Sequence, residues 1–283
     1  MKIPKIPNYL TNAIKPDTKA PALDRISVTS LIAPPLQRTL YNKHWQEIKR
    51  DPLESIWMLL GTGLDDIAKR YSQTALTQLK LEWFTLHGIT LVGIPDLIDI
   101  VDHVLADLKV TSVWSIKEIR KEYIYQLNIY DYMLYRLYND LWKQIDRLEI
   151  HAILRDWRMN EKLRYGGNYP DHQFVILPVE RWSVKEQEQF IDTCIQDHLQ
   201  NPERECTDEE KWKREDQFAV MKQGRKSAMR VLDSSKEAMQ WCKEKGHIIG
   251  EKGIYLDKRK GECVRCNSYC SVNSFCPYFK ANK

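Results

Sequence analysis

The 283-residue sequence has no apolar run approaching the ~20 residues that a membrane helix requires. Its first residues, MKIPKIPNYLTNAIKPDTKAP, carry prolines and lysines but no apolar core of a secretory signal. The expected location is therefore the cytosol, of the protein's own cell or of a host cell, with no membrane partner. No internal repeat and no low-complexity block is present, which leaves a globular chain rather than an array. A strong charge of either sign is also missing. At +4, contact with nucleic acid has to come from a local patch. Cysteine is absent until Cys194, yet four of the seven fall within fourteen residues, from Cys263 to Cys276. In a reducing compartment such a cluster holds metal more readily than it forms disulfides.

Residues 1–24 read as an N-terminal arm. The segment DPLESIWMLLGTGLDDIAKRYSQ reads as two helical stretches hinged near Gly61–Gly63. QLKLEWFTL alternates apolar and polar residues as a strand does, and HGITLVGIPDLIDI is β-branched; His87-Gly88 between them marks a hairpin turn. HVLADLKVTSV is a third strand after a turn at Asp99–Asp102. A long amphipathic helix over 115–142, two more strands and a helix opened by the Ser183/Glu186 capping box follow. From about 201 the chain is charged and poor in apolar runs. The expectation is an α/β core over 25–200, a central mixed sheet flanked by helices, with a helical, cysteine-rich appendage over 201–283.

The chemistry concentrates in GIPDLIDIVDHVLADLK, residues 93–109. Asp96 is placed at the end of one strand. Asp107 and Lys109 stand two apart on the next, hence on one face of the sheet. Two neighbouring carboxylates repel, and their burial costs several kcal/mol without a compensating cation. A divalent ion with oxygen ligands, Mg²⁺ or Mn²⁺, meets that need. Lys109 on the same face suits the positioning of a water and the stabilisation of charge on a phosphate.

This stretch resembles the active site of the PD-(D/E)XK nuclease superfamily in its RecB-like branch. Asp96 matches the first aspartate, Asp107 the second acid and Lys109 the lysine. In the following helix, Gln126 and Tyr130 match the QxxxY pattern. The resemblance implies a restriction-endonuclease-like fold, metal-dependent hydrolysis of DNA with a preference for ends, and Gln126 and Tyr130 supporting substrate. Upstream, GTGLDDI resembles a GTxxH segment, with Asp65 where that family has a metal-binding histidine. Asp65 is thus a third metal-ligand candidate, and also the feature that favours an alternative: a weakened nuclease fold that binds DNA. Glu82 is a further candidate acid.

Cys266, Cys270 and Cys276 have C-x₃-C-x₅-C spacing. The tail, from the cysteine of CTDEEKW onward, resembles phage-encoded members of this superfamily, which implies Cys206 as the fourth ligand of a [4Fe–4S] cluster or Zn²⁺; Cys263 remains the alternative. A closed four-cysteine site is structural. KWKREDQFAVMKQGRKSAMR adds Lys211, Lys213, Arg214, Lys222, Arg225, Lys226 and Arg230, interleaved with Trp212 and Phe218, as a candidate DNA-backbone patch. The resemblance places the protein in DNA recombination, repair or replication, with a protein partner from such a process.

Overall fold

The structure is a computed structural model that describes residues 20–48, 56–71 and 75–282. The expected arm lies outside the described residues up to residue 19. The chain divides into two compact units, Met1–Glu203 and Arg204–Lys283.

The first unit runs β1 (Arg25–Ser27), α1 (Val28–Leu31), α2 (Pro35–His44), α3 (Ile56–Tyr71), β2 (Ala75–Leu76), β3 (Leu81–Phe84), β4 (Thr90–Gly93), β5 (Leu97–Asp99), β6 (Val104–Thr111), α4 (Lys121–Leu137), α5 (Asn139–Trp142), β7 (Arg147–Leu154), α6 (Met159–Tyr165), β8 (Phe174–Val179) and α7 (Val184–Gln200). Five strands form a mixed sheet in the order β2-β5-β6-β7-β8, in which β6 and β7 are parallel and the other neighbours antiparallel. A second sheet has the order β1-β4-β3. Helices α3 and α4 both pack on β6, and α4 also meets β3, β7 and α7. The core they bury includes Leu91, Ile98, Leu105, Leu127, Met133, Leu148 and Ile195.

Three local readings change. The expected hinge at Gly61–Gly63 is absent: α3 is one continuous helix through both glycines. Glycine weakens a helix by about 1 kcal/mol but keeps its N–H, so flanking turns carry it through. The run HGITLVGIPDLIDI is two strands in two different sheets, because Pro95 has no N–H to give to a ladder. Asp96 therefore lies in the crossing between sheets. The long helix begins at Lys121, after a short 3₁₀ turn at Val113–Ile116, and stops at Leu137.

Other readings agree with the structure. β3 and β4 pair antiparallel around Gly88, at φ 75°. The Asp99 carboxylate accepts from the backbone N–H groups of Val101 and Asp102, at 2.9 and 3.1 Å, and so closes the β5–β6 turn. At the start of α7, Ser183 Oγ accepts from Glu186 N while Glu186 accepts from Ser183 N.

The second unit, expected to be helical, has helices and also a three-stranded antiparallel sheet that the expectation did not include. β9 (Gln217–Lys222) lies between β10 (Arg230–Leu232) and β11 (Ile254–Arg259). One helix, α8 (Ser235–Glu244), packs against β9 and β10. Phe218, Val220, Leu232, Ile254 and Leu256 recur at a period of two and meet Ala238 and Cys242 of α8 in a small core. That alternation is short and set among charges, which hides it from a reading by composition. Among the described residues, no helix is long and apolar enough to cross a membrane.

Candidate active site

The β5–β6 hairpin sets the site. Leu97 pairs with Ala106, so the register carries Asp96 toward Asp107. Asp96 Oδ2 accepts from the backbone N–H of Leu108 at 2.9 Å, which pins this carboxylate beside β6. Asp107 is only 1 % exposed, and no aligned hydrogen bond reaches either of its oxygens. Lys109 Nζ lies 2.5 Å from Asp107 Oδ2 as a close ionic contact. Burial pushes the Asp107 carboxyl up to about 6; neighbouring Asp96 adds to this, while Lys109 opposes it. Burial works against the Lys109 ammonium, but Asp107 and Asp96 outweigh it and hold its pKa above the ordinary value.

Helix α4 supplies the other wall. Gln126 Nε2 donates to the Tyr130 hydroxyl at 3.2 Å, and both side chains are buried. Burial pushes the Tyr130 phenol up to about 12, helped by Asp107 and Asp96 and opposed by hydrogen bonds from Gln126 and the Ile94 backbone. Tyr130 is thus a neutral phenol that feels the charge of both carboxylates. The structure brings Asp96, Asp107, Lys109, Gln126 and Tyr130 together.

Tyr123 joins them, and sequence reading missed it. Lys109 Nζ stands 5.1 Å from the centroid of its ring. The signal was present, since 123, 126 and 130 share a helix face. Motif spacing alone does not include it.

Gly93 explains how closely α4 approaches. A Cβ there would lie 2.6 Å from Tyr130 Cε1 and 3.0 Å from Val28 Cγ2. Gly93→Ala is expected to destabilise the protein by about 1–3 kcal/mol through overpacking. The readout is a lower urea midpoint with an unchanged slope; an unchanged midpoint would show that the Tyr130 ring has room to move.

Two candidates stand apart. Asp65 belongs to α3, but its side chain lies outside the described residues. Glu82 pairs with Arg25 and Lys80, at 2.5 and 2.7 Å, and lies on β3 in the other sheet. Those partners, Lys80 first, hold its carboxyl below the usual range. Among the described residues, no three His, Cys, Asp or Glu side chains gather as a metal site. The pair Asp96 and Asp107 still has the donor chemistry for a divalent cation. Apart from the Lys109 ammonium in ionic contact with Oδ2, no aligned donor reaches the buried oxygens of Asp107, and burial, with Asp96 adding to it, makes its charged form costly.

In the second unit, burial pushes the Cys206 thiol up to about 12, followed in effect by Glu210, Cys266, Cys276 and Cys270. Burial likewise raises Cys266 and Cys270. Cys206 is therefore an electrostatic neighbour of all three spaced cysteines. Cys263 instead borders Cys266 and bridges to the Lys213 backbone. Gly261 lets this segment close: a Cβ there would lie 1.7 Å from Arg214 O.

The basic segment splits. Lys211 pairs with Glu205 at 2.5 Å, Lys213 pairs with Asp208 at 2.7 Å, and Trp212 lies under Arg265. These residues leave the expected patch, because acids nearby in the chain neutralise the lysines. Lys222, Arg225, Lys226 and Arg230 stay exposed, around the turn between β9 and β10. Arg225 N donates to Lys222 O at 3.0 Å, and Gly224 takes φ 82°.

No family model and no curated protein matches the chain. Among solved structures, SSO0001 is similar, with 17 % identity over 68 % of this chain and 83 % of that one, at a TM-score of 0.45. An alkaline exonuclease from Laribacter hongkongensis is similar at 12 % identity, over 64 % of this chain and 91 % of that one, with a TM-score of 0.38.

Proposed function

We propose that this protein is a metal-dependent deoxyribonuclease that hydrolyses phosphodiester bonds, acting at DNA ends. The observation that carries the reading is the buried Asp107 carboxylate, held beside Asp96 and in contact with the Lys109 ammonium. Asp96 and Asp107 would hold Mg²⁺ or Mn²⁺, with Asp65 as a third candidate. Such an ion supplies positive charge at the scissile phosphate. Lys109 donates hydrogen bonds to an attacking water or to a phosphate oxygen, and Tyr123 and Asp107 fix its ammonium from two sides. Tyr130, kept neutral, supplies a hydroxyl on the α4 side of the site for substrate, and Gln126 orients it.

The test is incubation of the full chain with end-labelled linear single- and double-stranded DNA, in Mg²⁺, Mn²⁺ or EDTA. Release of label in metal and not in EDTA is expected, with closed circular DNA resistant. Cleavage in EDTA would overturn the reading. Binding without cleavage of any DNA would instead support the weakened nuclease fold that Asp65 suggests. Processing of ends in recombination, repair or replication, in a phage or mobile element, is the role this activity fits.

Cys206, Cys266, Cys270 and Cys276 form the ligand set we infer for a structural [4Fe–4S] cluster or Zn²⁺. Support comes from the cysteine spacing and from Cys266, Cys276 and Cys270 acting electrostatically on Cys206; the four thiols do not stand as a preformed metal-binding group among the described residues, so the metal would draw them together. Anaerobically purified protein is expected to contain one cluster, seen as absorbance near 400 nm, or one zinc per chain. Cys206→Ser is expected to lose it and Cys263→Ser to keep it. The opposite pattern would make Cys263 the ligand.

A further inference from the structure

The connection between β6 and α4 links the strand bearing Asp107 and Lys109 to the helix bearing Tyr123, Gln126 and Tyr130. It carries Trp114, whose side chain is not sheltered: the residue is 48 % exposed. Beside it stands Tyr165, 40 % exposed, at the end of α6. The two rings meet edge to face with centroids 5.7 Å apart. Each has a cation of its own. Lys117 Nζ lies 4.7 Å from the Trp114 ring, and the Arg164 guanidinium 5.5 Å from the Tyr165 ring.

The base beneath these rings is rigid. Tyr169 is 6 % exposed, stacks under Tyr165 at an interplanar angle of 14°, and accepts from Arg158 N at 2.9 Å through its hydroxyl. Trp157 donates its indole N–H to Pro170 O at 2.9 Å. Val113 N, beside Trp114, donates to Asp156 at 2.8 Å, which ties the connection to the end of β7. Two large rings are thus held at the surface by an ordered support, when burial would have gained more for folding alone. The surroundings are basic: residues 155–165 carry Arg155, Arg158, Lys162 and Arg164 against Asp156 and Glu161. Leu163 and Met159 of α6 are exposed as well.

Exposed aromatic faces flanked by cations, on the connection that leads from the Asp107 and Lys109 strand to α4, suit a base and its phosphate. Every base has a π-face, so stacking needs no sequence, and arginine and lysine supply the backbone contact. We propose that Trp114 and Tyr165 form a stacking platform for an unpaired base of single-stranded DNA, with Lys117 and Arg164 attracting its phosphates. The platform rests on the nuclease reading for its purpose: it would hold a frayed or single-stranded end while the strand enters the site.

Binding separates the two ideas. A fluorescein-labelled 12-nucleotide single-stranded DNA is titrated in EDTA, in a Lys109→Ala background. Trp114→Ala and Tyr165→Ala are each expected to weaken its binding roughly tenfold, and Trp114→Phe to restore it. A blunt duplex of the same length is expected to lose less than about threefold. Lys117→Gln with Arg164→Gln is expected to flatten the salt dependence of binding. Wild-type affinity in both alanine variants would overturn the platform, as would equal losses for strand and duplex. If the intact chain cleaves no DNA in Mg²⁺ or Mn²⁺, the nuclease reading fails, and the binding titration still decides the platform.

Discussion

Lys109→Ala is expected to reduce metal-dependent hydrolysis of linear DNA by about 10²–10³-fold. Three contacts converge on this ammonium. Asp107 Oδ2 lies 2.5 Å away, the Tyr123 ring 5.1 Å away, and Asp96 adds to the attraction. Together they hold the charge in one place and keep it protonated, as stabilisation of a developing phosphate charge demands. Truncation leaves the two carboxylates in place, so metal binding survives and the charge near the phosphate is lost. Initial rates of label release measure the effect, and binding of the same DNA in EDTA is expected to change by less than about threefold, because a single cation near the scissile phosphate is one contact among many. Hydrolysis at the wild-type rate would remove Lys109 from the chemistry, and a matching loss of DNA affinity would make it a binding residue.

Asp107→Asn is expected to abolish hydrolysis and, in EDTA, to stabilise the fold. The carboxyl moves from the ordinary 3.8 to about 6 on folding, chiefly through burial. An acid with a raised native pKa takes up a proton on folding between those two values. Its ionisation therefore lowers stability as pH climbs through that window, and the loss is complete above it. The opposing attraction of Lys109 is already included in that balance. Each pH unit of the window is worth about 1.4 kcal/mol, or about 3 kcal/mol over the whole of it. Asparagine mimics the neutral acid in shape and charge. At pH 7.5 the unfolding midpoint is expected to rise by about 5–10 °C relative to the unaltered protein, and the difference is expected to vanish by about pH 4. Mg²⁺ or Mn²⁺ should raise the midpoint of the unaltered protein and leave the variant unchanged. A lower midpoint for the variant at pH 7.5 would mean that Asp107 stabilises the fold through contacts other than a bound cation.

Much of the site was legible because its residues are close in sequence. Asp96, Asp107 and Lys109 occupy one hairpin, whose turn is marked by Asp99 and Asp102 and whose strands are marked by β-branched alternation. Gln126 and Tyr130 follow on the next helix at a spacing that puts them on one face. Tyr123 escaped because it becomes a site residue only through the Lys109 ammonium over its ring, a contact between strand and helix. The sheet of the second unit went unread because its strands are short and interrupted by charge, and only pairing across β9 makes their alternation a core. Lys211 and Lys213 looked like DNA contacts until Glu205 and Asp208 were placed beside them.

By itself, then, the sequence determined the main strands and helices of the first unit and the hairpin that carries Asp96, Asp107 and Lys109, since local pattern and short-range spacing suffice for these. It also singled out five candidate cysteines, with Cys206 and Cys263 as alternatives for the fourth ligand. Tertiary structure decided which charges are buried and which are answered. The same residue type is a turn cap at Asp99, where backbone N–H groups satisfy it, and a buried carboxylate at Asp107, where α4 and the sheet exclude water and the Lys109 ammonium is the group in contact. Desolvation depends on what packs from elsewhere in the chain, and no spacing along the chain encodes it.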